Sequence, residues 1–402
     1  MKFKLSEDTV LLFSVKLILI GLIASWFTRI TNFPAYWPGV LLLFLFSLIK
    51  NRSVFGQTLV LLPFSVGLLL MVFDGFDHYK NVPLSYLFPF GPFTDIYPFV
   101  LSAVILINIE FSNNKENVIF ELKKFSLFCF LVGLCLSFIT EISYPGISRE
   151  RDLSKVSSLF WSMSFGMFYS LPFVAIIVLN KIKGFYKHLL SFLLIVFCAF
   201  SGFLTLTIFM LVGVLIAYYE SVANGLRNFF ILFLIVLGGF FIFTVGGIGS
   251  FGVSLLNLLP NDAFIEKADQ LLEINSTANG NVEDLRGNVY SVSLNSFYDF
   301  PFFGTGDYSE GIIGYHSFWL DKLGFIGFFG TIPYLLVLFQ FYRYINIKYF
   351  NNNKLWLKIN ILLFILLFLN PFQFWDFWII IYVILPILNY GTSKNLYNVK
   401  LG

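Results

Sequence analysis

Late in the sequence an arginine, a glycine-punctuated turn and a histidine follow one another: Arg286, then Pro301-Phe-Phe-Gly304-Thr-Gly306, then His316. A guanidinium is permanently charged and grips phosphate oxygens two at a time. A histidine at a water–apolar boundary can donate a hydrogen bond or move a proton near neutral pH. Glycines such as Gly304 and Gly306 let backbone N–H groups come close to an anionic group. Residues of these types in this order suit a phosphate-bearing substrate. Two further arginines, Arg149 and Arg151, stand in an earlier polar segment, and Trp319 follows His316 closely. A plainer reading sits beside this one. Glu283 lies one helical turn before Arg286, an ordinary surface pair. A lone histidine at a helix start commonly serves the fold. Trp319, Trp375 and Trp378 fit an interfacial aromatic belt.

The same inventory argues against metal chemistry. The only histidines are His78, His188 and His316, and the three cysteines (Cys129, Cys135, Cys198) all fall inside apolar runs. No Cys–His cluster and no carboxylate pair has metal-ligand spacing in a convincing setting, so neither metal nor cofactor is expected. An odd cysteine count in apolar surroundings argues against a disulfide framework.

The elements that must carry these residues are set by composition. Charged residues make up 12% of the 402, against about 25% in an average soluble protein. Hydrophobic residues make up 58%, and the mean hydropathy is +0.82. A water-soluble fold cannot hide that much apolar surface, so a soluble globular enzyme and a disordered chain are both excluded. The net charge of +3 gives no reason to expect a nucleic-acid partner. The expected fold is an all-α polytopic membrane protein, one integral domain over 1–402, with about twelve transmembrane helices.

Apolar runs of spanning length fall at 10–28, 33–49, 54–73, 95–111, 125–142, 158–179, 228–245 and 323–342. Residues 189–219, interrupted by Ser201-Gly202, read as two short helices meeting at an outer turn, and 355–390, interrupted by Asn370-Pro371, as two more. The first run follows Lys2 and Lys4 but lacks a cleavage pattern, so it reads as an uncleaved span. The clusters Lys50/Arg52, Lys115/Lys123/Lys124, Lys181/Lys183/Lys187 and Arg343/Lys348/Lys354/Lys358 then share one side, which the positive-inside rule makes cytoplasmic together with both termini. Residues 246–315 form one long outer loop, too long for a simple connection. Within it, 251–274 has the spacing of amphipathic surface helices, and a further helix is expected from Val282 to Tyr298, stopped by Pro301. A new helix begins at Tyr315-His316-Ser317. Gly324, Gly327 and Gly330 are spaced for close helix packing.

Arg286, Asp299-Phe-Pro301-Phe-Phe-Gly304-Thr-Gly306, His316-Ser-Phe-Trp-Leu and Leu323-Gly324-Phe-Ile-Gly327 together resemble the O-antigen polymerase and O-antigen ligase superfamily. The topology matches that layout along nearly the whole chain, while the specific motif covers 286–327. Arg149 and Arg151, ahead of a span, correspond to an outer-loop arginine often found there. The sequence departs from the family at Ser201-Gly202, where many members carry a Ser-Arg pair. That departure tilts the resemblance from ligase toward polymerase.

The resemblance implies a GT-C-like glycosyltransferase of the bacterial cytoplasmic membrane, acting at its periplasmic or extracellular face. Its partners would be undecaprenyl-diphosphate-linked oligosaccharides, as donor and acceptor, membrane lipid and a chain-length regulator. The product would be a surface polysaccharide: O-antigen, capsule or exopolysaccharide. Arg286 and His316 would be catalytic, with Arg149, Arg151, Gly304, Gly306 and Trp319 binding diphosphate or glycan, and the transfer would be metal-independent and inverting. The alternatives are a ligase moving polymer onto an acceptor and, in another class, a repeat-unit flippase or transporter. Transporters of this size usually carry internal repeats and mid-membrane charges. No repeat is visible here, and the spans are nearly free of charge.

Overall fold

A computed structural model describes residues 6–22, 36–50, 52–73, 96–143, 165–200, 204–219, 285–306, 314, 317–370 and 375–391. Among them every regular element is helical. They are α1 (Glu7–Leu22), α2 (Tyr36–Lys50), α3 (Thr58–Phe73), α4 (Tyr97–Glu110), α5 (Lys115–Ser143), α6 (Phe165–Leu179), α7 (Phe185–Phe200), α8 (Leu204–Tyr219), α9 (Leu285–Asp299), α10 (Phe318–Tyr349) and α11 (Lys354–Leu369). Trp375–Ile379, a π turn at Ile380–Ile384 and Leu385–Asn389 run on as α12. The π turn ends two residues before Pro386, whose ring blocks regular bonding to the preceding turn.

Helices occupy the apolar runs read from the sequence wherever those runs are described. The run 228–245 and the surface helices expected over 251–274 lie outside the described residues. Among the described residues two helices, Lys115–Ile139 and Phe318–Tyr349, are long and apolar enough to cross a membrane. Both exceed the spans expected at 125–142 and 323–342. Their extra turns carry charge (Lys115, Glu116, Glu121 and Lys123 in one, Asp321, Lys322, Arg343 and Lys348 in the other), which a hydropathy reading trims away.

The chain gathers into two compact units. One takes in residues 1–23, 33–129 and 284–402, the other 24–32 and 130–283. In the first, a column of aromatic rings fills the centre. Phe99 of α4 meets Tyr334 and Phe341 of α10 and Trp378 and Tyr382 of α12, at centroid separations of 5.6, 5.7, 5.0 and 5.5 Å. Trp378 is 2% exposed, so it belongs to this core and not to an interfacial belt. Gly39 of α2 lies so close to α1 that a Cβ there would meet the Ser14 carbonyl at 2.7 Å. Small residues allow this approach where lipid supplies no hydrophobic drive between helices. Asn108 of α4 adds a buried polar link, donating from Nδ2 to Ser47 Oγ of α2 at 2.8 Å.

In the second unit α6, α7 and α8 pack on one another, with Phe168 and Phe197 stacked at 5.6 Å. Lys187 is buried and donates to the Ala217 carbonyl at 3.0 Å, capping the end of α8. His188 joins the Tyr218 hydroxyl through Nδ1 at 2.7 Å.

Candidate functional site

The site is assembled around the start of α10. Ser317 caps this helix: its backbone is extended and its hydroxyl accepts from Leu320 N–H at 3.3 Å. In the first turn stands Asp321, 2% exposed. One carboxylate oxygen accepts from the Ser293 hydroxyl of α9 at 2.6 Å, and the other from Ser317 N–H at 3.3 Å. Because a carboxylate only accepts, the Ser293 proton must point at it, which turns a serine lone pair outward. Gly314 N–H donates to that oxygen at 2.8 Å. One buried carboxylate, with the Ser293 hydroxyl, thus joins α9, Gly314 and the head of α10. The positive end of the α10 dipole favours a negative charge at this position. Lys322, also 2% exposed, lies over the rings of Phe318 and Phe325 at 5.7 and 5.9 Å. Phe318 N–H reaches back to the Asn370 carbonyl at 3.2 Å, drawing the end of α11 to the same place.

Below this network α10 is broken. Gly327 has φ 61° and ψ −166°, a conformation open in practice only to glycine. A break frees the carbonyls before it and the N–H groups after it, and buried orphans of this kind are costly. The turn at 301–306 meets them. Thr305 N–H bonds the Gly324 carbonyl at 2.9 Å, and Gly306 N–H the Phe325 carbonyl at 3.0 Å. In return Phe328 and Phe329 N–H bond the carbonyls of Pro301 and Phe302 at 2.9 and 3.0 Å. The Gly327 carbonyl accepts from Thr331 Oγ1 at 2.7 Å.

Backbone meets backbone here with no room for a side chain. A Cβ at Gly304, whose φ is +71°, would collide with the Phe325 carbonyl, and one at Gly327 with Gly304 N. The Gly-x-x-Gly spacing read from the sequence as helix-on-helix packing is therefore, at Gly327, a seat for a turn. Gly330 serves its own helix, since a Cβ there would crowd Ile326.

The residues singled out by sequence fall as follows. Arg286 occupies the first turn of α9, seven residues before Ser293 and so in the same register at 3.6 residues per turn. His316, Arg149 and Arg151 lie outside the described residues, but Gly314 and Ser317, on either side of His316, are both held by the Asp321–Ser293 network. Gly304 and Gly306 lie in the turn as expected, but their N–H groups bond the carbonyls of Phe300 and Phe325 and are not presented to an anion. Trp319 is 4% exposed, its indole N–H donates to the Phe364 carbonyl at 3.3 Å, and its ring packs on Phe364 at 5.1 Å.

Sequence reasoning passed over Asp321 and Ser293. The available signal was an Asp-Lys pair at the head of an apolar stretch, a place where ionisable residues in a membrane segment commonly mark function. Among the described residues no group of three or more His, Cys, Asp or Glu is placed to hold a metal ion. Compared with family models, with curated proteins and with solved structures, the chain matches none.

Proposed function

We propose that this chain is a multi-pass membrane glycosyltransferase of the GT-C kind, with about twelve transmembrane helices. It polymerises undecaprenyl-diphosphate-linked oligosaccharide repeats into a surface polysaccharide at the outer face of the cytoplasmic membrane. A hydroxyl of the acceptor repeat attacks the anomeric carbon of the donor glycan from the face opposite the diphosphate. The bond between that carbon and the phosphate oxygen breaks, configuration inverts, and the lipid diphosphate leaves. Arg286, with Arg149 or Arg151, neutralises the charge growing on the departing diphosphate. Fixed cations in a water-poor site contribute several kcal/mol to such a step. His316 takes the proton of the attacking hydroxyl or orients the diphosphate.

One observation supports this reading above the others: on the helix bearing Arg286, Ser293 accepts from Gly314 N–H and donates to Asp321, which in turn accepts from Ser317 N–H. Ser293, Gly314 and Ser317, separate in sequence, thereby share one network. The helix break also favours an enzyme over a transporter. Broken helices in transporters offer freed backbone groups to ions, whereas those at Gly327 are taken up by the turn.

The test replaces Arg286 or His316 with Ala and follows glycan length on gels. Loss of the repeat ladder at normal protein level is expected, and an unchanged ladder refutes the assignment. Deleting the chain separates the alternatives. A polymerase defect leaves single capped repeats, a ligase defect strands long polymer on the carrier lipid, and a transport defect leaves lipid-linked repeats facing the cytoplasm.

A further inference from the structure

We infer that the elbow of α10 at Gly327 is a lipid-anchoring surface: the aromatic rings around it sit in the bilayer boundary opposite Lys348, and α10 crosses only from Phe328 onward. This inference concerns lipid contact and does not depend on the transferase reading. A straight helix would hold Phe318 and Tyr334, sixteen residues apart, about 24 Å from each other. Their rings lie 5.6 Å apart, centroid to centroid. Phe318 also meets Trp378 of the aromatic column at 5.6 Å. The break at Gly327 therefore folds the head of α10 back toward its body, so the head adds little to the distance the helix can span. Burial changes at the same residue. From Phe318 to Gly327 no residue is exposed, whereas Phe328 and Phe329 are, and Leu335, Leu336 and Phe339 continue the exposed side down the body. From Phe328 to Lys348, which pairs with Glu110, is about 30 Å of helix, the thickness of a hydrocarbon core. Arg343 is exposed within the last part of that length, where a long side chain can carry its charge to the boundary.

The turn at 301–306 brings two more rings to the elbow. Phe302 and Phe303 are 59% and 58% exposed and pack on Phe329 at 5.9 and 5.4 Å. Four exposed rings in one patch are costly in water, and aromatic side chains collect where hydrocarbon meets headgroups. The patch is continuous with the exposed apolar side of α10 below it, so bilayer lipid that covers the one also reaches the other. Backbone that enters lipid must have its hydrogen-bonding groups occupied. The N–H groups of Gly304, Thr305 and Gly306 are spent on the carbonyls of Phe300, Gly324 and Phe325. On the other side of the turn the character changes. From Tyr290 on, the exposed residues of α9 are Ser291, Asn295, Asp299 and the amphipathic Tyr298, which suit water and headgroups. The boundary thus falls between the end of α9 and the tip of the turn.

The experiment uses the full chain, with Cys129, Cys135 and Cys198 replaced by Ala, in vesicles of phosphatidylcholine and phosphatidylglycerol. A nitroxide is attached through Asn295→Cys, Phe303→Cys, Phe329→Cys or Leu336→Cys, all at exposed positions. Its collisions with oxygen, which partitions into lipid, are compared with its collisions with a water-soluble nickel chelate. The oxygen-to-nickel ratio should be lowest at 295, higher and similar at 303 and 329, and highest at 336, about 12 Å further along the helix than Phe328. A ratio at 303 as low as at 295 places the turn in water and overturns the inference. Equal ratios at 329 and 336 overturn it too, because they are what a crossing centred on the 323–342 run would give. Slow collisions with both reagents at 303, with spin–spin broadening between molecules, mean that a second copy of the chain covers the patch, which also overturns it. Each labelled chain is checked by its thermal melt. Should Phe303→Cys not fold, Phe302→Cys takes its place with the same expected ratio.

Discussion

The two ends of α10 are held by different physics. At its far end, beyond the aromatic column, charged side chains form a rim. Lys115 pairs with Glu110 at 2.6 Å, Lys348 with the same carboxylate at 3.9 Å, and Lys50 with Glu7 at 3.2 Å. Ser112 donates to Asp8 at 2.7 Å. Lys50, Glu7 and Lys348 are well exposed, at 51%, 49% and 49%, whereas Lys115 and Glu110 are at 23% and 17%. At the near end the links are backbone to backbone, or pass through one hydroxyl and one carboxylate that are almost wholly enclosed. Exposed ion pairs contribute about 0–1 kcal/mol and tolerate many geometries. Enclosed, directional bonds tolerate few. The rim sorts the helix ends to one side, and the near end fixes coordinates. In the proposed transferase, chemistry belongs where coordinates are fixed, which is the end carrying the Arg286 helix.

The sharpest way to break this contrast is a single methyl group. Gly327→Ala and Gly304→Ala each combine a strained backbone with a collision, and each should cost about 3 kcal/mol or more, read as loss of folded protein in a thermal melt. Gly306→Ala sharpens the same point. Its φ is +65°, but nothing lies within 4 Å of a Cβ there, so only backbone strain of about 1 kcal/mol is expected. A stability loss at 306 equal to that at 304 would mean that contact is not the cause. Between the two ends, Asn108→Ala removes the link to Ser47 and should cost about 0.6–2 kcal/mol. At the rim, a double-mutant cycle on Glu7→Gln and Lys50→Gln should give a coupling under about 0.5 kcal/mol that fades with added salt. A rim coupling larger than the Asn108 effect would reverse the ranking.

Much of the helical layout was legible because apolar runs of spanning length have few other destinies. The rim was legible too: the lysine clusters assigned to one face include Lys50, Lys115 and Lys348, whose partners join the start of α1 to the ends of α2, α4 and α10. The turn at 301–306 was visible from its glycines. Its partner was not. Nothing local in Gly324-Phe-Ile-Gly327 separates a helix-packing stripe from a helix break, because the difference lies in which distant backbone arrives. Asp321 was obscured for a related reason. Hydropathy averages over a window, and one enclosed carboxylate barely moves it, although its bonds to Ser293 and Ser317 tie α9 to the head of α10. The tryptophans went the other way. Trp319 and Trp378 looked interfacial by position and proved to be core, since composition cannot tell a ring facing lipid from one facing Phe99 or Phe364.

The clasp at Gly327 also bears on how the chain is made. The 301–306 turn leaves the ribosome roughly twenty residues ahead of its seat, a short and therefore fast closure. The seat itself needs no partner from later in the chain. α10 can form as two jointed rods, already clipped to the 301–306 turn, before α11 and α12 exist to lean on.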